Sequence, residues 1–226
     1  MIIGKGLIAS AFKEYRNHEC IIFASGVSNS LEIENSQFER EEHLLRKTIN
    51  LKKKIIYFST TALLAHKSHS SPYLNHKKKM EMLLEDQNHI IVRLPQIVGL
   101  RQNQKNLIPF IYNSIKNDVP FYVQKDTYRS IIDVEDVVKF TKYLIRKKNL
   151  NLKTISFLNT NYITVEEIVE ILESILKKRA CYKLIKSKYI KERASISNDV
   201  VNLITESGIQ FNSEYNKELL MKYYDK

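Results

Sequence analysis

Residues 54–81 read KIIYFSTTALLAHKSHSSPYLNHKKKME, and this stretch decides the fold. It opens on an apolar run, 54–60, rich in isoleucine and aromatics and bounded by polar residues, as a buried parallel strand is. It closes on a helical pattern introduced by Ser71, a hydroxyl suited to an N-cap, and Pro72 in the first turn. Working outward, the same alternation fills the chain. Further apolar runs lie at 1–3, 20–25, 89–95 and 154–159. Helical patterns lie at 7–16, 36–50, 73–86, 107–117, 134–148 and 164–178, with one or two more in 198–224. Strands alternating with helices predict an α/β fold, a parallel sheet with helices on both faces.

Composition bounds the function. A chain of 226 residues that is 43% hydrophobic can bury the core of a single domain, 1–226. Cys20 and Cys181 imply neither a disulfide framework nor a metal knuckle, and a reducing cytoplasm is the expected setting. The opening MIIGKGLIASAFKEY is apolar for only a few residues and carries Lys5 within them, so it does not read as a signal peptide. No run approaches membrane-spanning length. The formal charge of +11 gathers in short runs: 52–54, 77–79, 146–148 and 177–179. Solvated helix ends account for such runs; nucleic acid, an acidic membrane surface or a phosphate-bearing small molecule are the sharper readings. No zinc spacing, arginine-rich arm or glycine–aromatic RNA motif supports nucleic acid.

Two motifs carry chemistry. The first apolar run ends in GKGLIA, a Gly4-x-Gly6-x-x-Ala9 turn that opens a helix through Leu7 and Ile8. Glycines there let backbone approach a pyrophosphate, with its charge at the helix N-terminus. The second is Tyr73 four residues before Lys77. Tyr112/Lys116, Tyr143/Lys147 and Tyr182/Lys186 share that interval, so spacing alone means little. Only Tyr73 follows a strand ending in hydroxyls, Ser59, Thr60 and Thr61, at the carboxyl end where open α/β sheets place ligands.

With these motifs in place the chain resembles the extended short-chain dehydrogenase/reductase family, the epimerases, dehydratases and reductases of nucleotide sugars. GKGLIA resembles the dinucleotide turn, and IIFASGVSNS (21–30) the strand along the cofactor. YFSTTA (57–62) with SPYLNHKKKME resembles the Ser/Thr…Tyr-x-x-x-Lys site, and VRLPQIVG (92–99) the next strand and its turn. NLIPFIYNSIKNDVPFYV (106–123) and RSIIDVEDVVKF (129–140) resemble the segments that hold a nucleotide diphosphate, and NDVVNLITESGIQFNSEY (198–215) the closing helix and strand. The resemblance implies a Rossmann-like fold and NAD or NADP held by Gly4, Gly6, Leu7, Ile8, Ala24, Ser25, Lys77 and Pro95. It implies catalysis by Thr61, Tyr73 and Lys77, and a substrate diphosphate gripped by Asn106 and Arg129. A phenol loses its proton near pH ~10. A cation on the same helical face and the helix N-terminus stabilise the phenolate, so Tyr73 could pass a proton to or from a sugar oxygen, its hydroxyl standing exposed.

The chain departs from the family in two ways. Only a few residues separate the first helix from the run at 20–25, where the family has two further strand–helix units. Those units carry the acid that grips the adenosine ribose, and neither Glu19 nor Glu32 stands in its place. If 1–3 pairs directly with 20–25 and the helix keeps its family position, the crossover becomes left-handed, which is rare. The other departure is that Thr61 is followed by Ala62, Leu63 and Leu64 where family dehydratases place an Asp-Glu pair. Epimerisation or keto-sugar reduction remains, in surface polysaccharide or glycan-precursor synthesis. The substrate-binding portion is expected at 100–130 and 160–226, and a homodimer through helices 36–50 and 73–86. A non-catalytic relative that binds a dinucleotide or a partner is the alternative.

Overall fold

The computed structural model describes residues 1–15, 19–64, 71–85, 88–100, 102–186 and 193–225. The first half runs β1 (Ile2–Ile3), α1 (Leu7–Ala11), β2 (Cys20–Phe23), α2 (Asn35–Ile49), β3 (Lys54–Thr60), α3 (Pro72–Met82) and β4 (Ile90–Leu94). The second runs β5 (Gln96–Val98), α4 (Leu107–Lys116), β6 (Phe121–Gln124), β7 (Tyr128–Arg129), β8 (Ile131–Asp133) and α5 (Val134–Arg146). It closes with β9 (Thr154–Ser156), β10 (Ile163–Thr164), α6 (Val165–Leu176), β11 (Tyr182–Ile185), α7 (Asn198–Glu206) and α8 (Tyr215–Tyr224). All five apolar runs of the sequence form the main sheet, in the order β1-β2-β3-β4-β9 and parallel throughout.

Side-chain alternation along the strands sorts the helices. Ile22, Ile56, Phe58 and Val92 share one buried cluster with Phe12, Val137, Phe140 and Leu144, so α1 and α5 cover that face. Ile21, Ile55, Tyr57 and Ile91 point the other way and meet Leu45 of α2, Met80 of α3 and Leu84 just beyond it. The Rossmann-like parallel sheet thus carries helices on both faces.

The first strand does pair directly with the second, Ile2 opposite Ile22. Chain order moves steadily across the sheet from β1 to β4, yet α1 lies on the face opposite α2 and α3. The β1–α1–β2 unit therefore has the opposite hand to the two units after it, and those three cannot all share the usual right hand. Keeping α1 on the α5 face buries Phe12 completely against the Phe58 ring, 6.1 Å between centroids. The helix is also shorter than the 7–16 expected; it ends at Phe12, whose own N–H closes the last turn on Ile8.

A second core gathers Ile108, Ile111, Phe121, Ile131, Ile168, Leu172 and Leu220, from α4, β6, β8, α6 and α8. Three small strand pairs frame it: β5 with β8, β6 with β11, and β7 with β10. The tail divides between the cores. Val200, Leu203 and Ile204 of α7 join the main sheet, whereas α8 joins the second core. Among the described residues no helix is long and apolar enough to cross a membrane. Cys20 is buried and Cys181 exposed, both free.

Candidate active site

The carboxyl ends of the first four strands form one ledge. At its near end Gly4 has φ +133, a conformation that favours glycine. A Cβ there would lie 2.2 Å from the Ala24 carbonyl oxygen, so glycine lets β1 and the end of β2 touch. Gly6, the N-cap of α1, has nothing within 4 Å of where its Cβ would stand. Ile8 turns into the main core, and Leu7 reaches the space beside Gly99. Ser25 is held by Arg40 of α2, whose guanidinium donates to its hydroxyl at 3.1 Å and its carbonyl at 3.3 Å.

At the far end a short 3-10 turn, Thr61–Leu63, follows β3 because the Thr60 hydroxyl accepts from the Ala62 N–H. Thr61 donates weakly to the Leu94 carbonyl, 3.4 Å, and so sits beside Pro95 where β4 ends. Ser71 caps α3 by accepting from the Leu74 N–H, and Pro72 opens its first turn, as the sequence implied. The sequence expected an exposed hydroxyl at Tyr73, and the ring that carries it is buried. Tyr73 is only 8% exposed, packed with Val27 and Leu74 against Phe38, Ala62 and Leu63. The cap fixes the start of the helix, and the apolar neighbours draw the ring inward. Its hydroxyl makes no hydrogen bond among the described residues. Lys77 lies with Nζ 6.0 Å from the Tyr73 ring centre, and a Cβ on Gly26 would come within 2.7 Å of that nitrogen. Thr61 therefore stands at the end of β4 beside Pro95, and Tyr73 and Lys77 at the segment after β2 that bears Gly26 and Val27.

Sequence reasoning missed what holds Lys77. Glu41 of α2 is fully buried and all four of its acceptor positions are used. Oε1 accepts from Lys77 Nζ at 2.9 Å and from the Tyr57 hydroxyl at 2.6 Å. Oε2 accepts from the Val27 N–H at 2.6 Å and meets His76 Nε2 at 3.0 Å. Lys77 also donates to the Tyr57 oxygen at 3.2 Å, which leaves one of its three N–H groups without an acceptor among the described residues. Burial alone would raise the Glu41 carboxyl, but the Lys77 charge and hydrogen bonds from His76, Tyr57 and Val27 outweigh it and hold it at about 2. Burial first, and then the Glu41 charge, push the Tyr57 phenol well above its usual range.

The second core supplies two further candidates. Arg129 ends β7, opposite Ile163 of β10. Neither Asp126 nor Asp133 pairs with it: among the described residues its one bond, 2.9 Å, runs to the neighbouring Tyr128 carbonyl. Asp133 is taken up by Tyr223 at 2.7 Å and Lys222 at 2.8 Å. Burial pushes the Arg129 guanidinium down from its ordinary value. Arg193, which the sequence did not single out, stacks 4.1 Å from the Tyr128 ring. Asn106 occupies the N-cap position of α4, yet its side chain makes no capping bond.

These residues can be tested against a dinucleotide. The side-chain-free turn at Gly4 and Gly6, the short loop at Ala24–Gly26 and the spare N–H of Lys77 fit a pyrophosphate and the ribose of a nicotinamide nucleoside. The adenosine ribose fits less well: β1 is the sheet edge, and among the described residues no strand lies beyond it to carry a carboxylate.

No family model and no curated protein matches the sequence. Solved structures do. The UDP-glucuronic acid 4-epimerase of Bacillus cereus, solved with UDP-glucuronic acid and NAD, superposes with a TM-score of 0.74 at 16% identity, over 96% of this chain and 77% of that one. A UDP-N-acetylglucosamine 4-epimerase of Methanobrevibacter ruminantium M1 gives 0.69 at 17% identity, over 95% and 78%. The dTDP-glucose 4,6-dehydratase of Bacillus anthracis str. Ames, solved with NAD, gives 0.67 at 16%, over 94% and 74%. Across nearly its whole length the chain has the fold of the nucleotide-sugar epimerases and dehydratases.

Proposed function

We propose that the chain is a nucleotide-sugar epimerase or keto-sugar reductase that works with a nicotinamide cofactor, NAD or NADP. The observation that carries this is the placement of Thr61, Tyr73 and Lys77 at the carboxyl ends of β2 to β4, with a Tyr73 hydroxyl that no described residue bonds. A bound nicotinamide ring would supply or accept hydride; the rest is this chain's own work. Tyr73 passes a proton to or from the sugar oxygen at the reacting carbon, and Thr61 orients that oxygen with its hydroxyl. Lys77 offers its spare N–H to the nicotinamide ribose. Arg129, half-buried and without a carboxylate partner among the described residues, takes a diphosphate through its two-pronged guanidinium, assisted by Asn106. The substrate is then a nucleotide sugar, bound largely by 100–130 and 160–226, and the setting a glycan precursor pathway in the cytoplasm. A homodimer would form through α2 and α3, and a single-chain mass in light scattering would remove that part.

One observation favours the other reading, a non-catalytic binder: the Lys77 charge is matched by Glu41 at 2.9 Å, so little of it is left to stabilise a phenolate. Thermal shift with NAD, NADP, a panel of nucleotide sugars and a DNA oligomer separates the classes. Stabilisation by a dinucleotide and a nucleotide sugar supports the enzyme; stabilisation by DNA alone sinks both readings. Turnover of any sugar in the panel then separates enzyme from binder. With no carboxylate at the adenosine ribose, NAD and NADP should differ in affinity by less than about ten-fold.

A further inference from the structure

Lys77 is the residue on which the site turns, and the chain spends four elements on holding it. Glu41 comes from α2, Tyr57 from β3, His76 and Lys77 from α3, and the Val27 N–H from the segment after β2. Phe38 closes the cluster from outside, its ring 4.8 Å from that of His76. The next charges, Glu81 and Arg93, bond to each other at 2.6 and 3.0 Å and form a separate pair. Nothing about packing requires a carboxylate here. A buried ion pair gives little net stability over an apolar pair of the same shape. It does fix geometry: with Glu41 Oε1 and the Tyr57 oxygen taking two N–H groups of Lys77, only the third remains for a ligand.

We propose that Glu41 is a positioning residue for Lys77. It holds the ammonium at the end of β2 as half of a neutral pair, so that Lys77 serves a ligand through one directed N–H and not as a free cation. The same carboxylate fastens Val27, three residues beyond the Ala24 carbonyl that Gly4 touches, so the loop and the lysine are set by one group. The ligand class is a ribose diol. Its identification with the nicotinamide ribose rests on the function proposed above.

The test separates the two ideas. In the free protein, Lys77 of the wild type should resist acylation by acetic anhydride, read by mass spectrometry, and Glu41→Gln should make it at least ten-fold more reactive. Equal protection in a folded Glu41→Gln would overturn the proposal with no reference to any ligand. With ligand, Glu41→Gln should weaken NAD about ten-fold, the scale of one hydrogen bond to a charged group, and leave ADP unchanged. ADP lacks the second ribose. The loss should vanish when Lys77→Met is already present, because Glu41 acts through Lys77. Additive losses, or equal losses of NAD and ADP, would show that Glu41 only braces the fold. Should Glu41→Gln fail to fold, the apolar pair Glu41→Leu/Lys77→Met should fold, keep ADP and lose NAD ten-fold; NAD bound as by wild type would overturn the idea. Wild type that binds no NAD, with Lys77 protected, would remove the dinucleotide and keep Glu41 as the holder of Lys77.

Discussion

Two tyrosine–lysine pairs with the same interval lie on opposite faces of the sheet, Tyr73/Lys77 on α3 and Tyr143/Lys147 at the end of α5. In both the ammonium stands over its tyrosine ring, at 6.0 and 5.4 Å. In both a glutamate from a distant helix completes the group: Glu41 at 2.9 Å from Lys77, Glu206 at 2.6 Å from Lys147. The bonding differs. Lys147 donates straight to its own tyrosine's oxygen at 2.8 Å, and that phenol also bonds Glu206. Lys77 donates instead to Glu41 and Tyr57, which leaves the Tyr73 hydroxyl unbonded among the described residues. One trio is a closed surface knot; the other keeps its phenol open for chemistry. Burial, not spacing, makes the difference.

The comparison breaks most visibly in stability. Lys77→Met strands a buried carboxylate and should cost about 3 to 5 kcal/mol in urea unfolding, whereas Lys147→Met should not move the transition measurably. Equal effects would mean that the two trios are alike after all. Acid gives the next largest effect. Glu41 is lowered from 4.5 to about 2, so its stabilisation is complete above pH ~4.5 and lost as pH falls toward 2. The wild type should shed about 3 kcal/mol across that window, and Glu41→Gln much less. Parallel pH curves for the two proteins would remove the ionised carboxylate from the core.

Turnover sharpens the comparison further. Tyr73→Phe should lose at least ~100-fold in kcat with its fold intact, and Tyr143→Phe nothing. A third cation supplies the smallest effect. Arg129, unlike either lysine, meets no carboxylate among the described residues, so a substrate diphosphate should be its counter-ion. Arg129→Ala should raise KM for a nucleotide sugar roughly ten-fold, Arg129→Lys less, with kcat less affected. Rising salt should weaken the wild type more than Arg129→Ala. Parallel salt slopes with unchanged KM would place the diphosphate elsewhere.

Most of the main sheet was legible because parallel strands buried on both faces must be apolar throughout, and Ile55–Phe58 or Ile90–Val92 leave no other reading. The pairs β5/β8, β7/β10 and β6/β11 were not, since strands of two to four residues carry no period to recognise. In the site, Tyr73 and Lys77 were visible through the hydroxyls ahead of them, but Glu41 was not. It stands in the run Glu39–Arg40–Glu41–Glu42, which reads as a solvated face. Its helical phase told otherwise: Glu41 shares a stripe with Phe38, Leu45 and Thr48, and all but Phe38 are buried outright. A charge in an apolar phase was the missed signal. Arg193 offered none, because its contact with Tyr128 depends on how the tail returns to β7.

The odd placement of α1 bears on the order of assembly. Its hydrophobic side is completed by α5, whose Val137, Phe140 and Leu144 lie more than a hundred residues later in the chain and share the cluster with Phe12. Contacts so remote in sequence are slow to form, because a long loop must close first. The units carrying α2 and α3 need only their neighbours to bury their faces. On a growing chain the first helix made is therefore among the last to be locked in place, and the glycine turn it carries matures only after the far end of the sheet has folded.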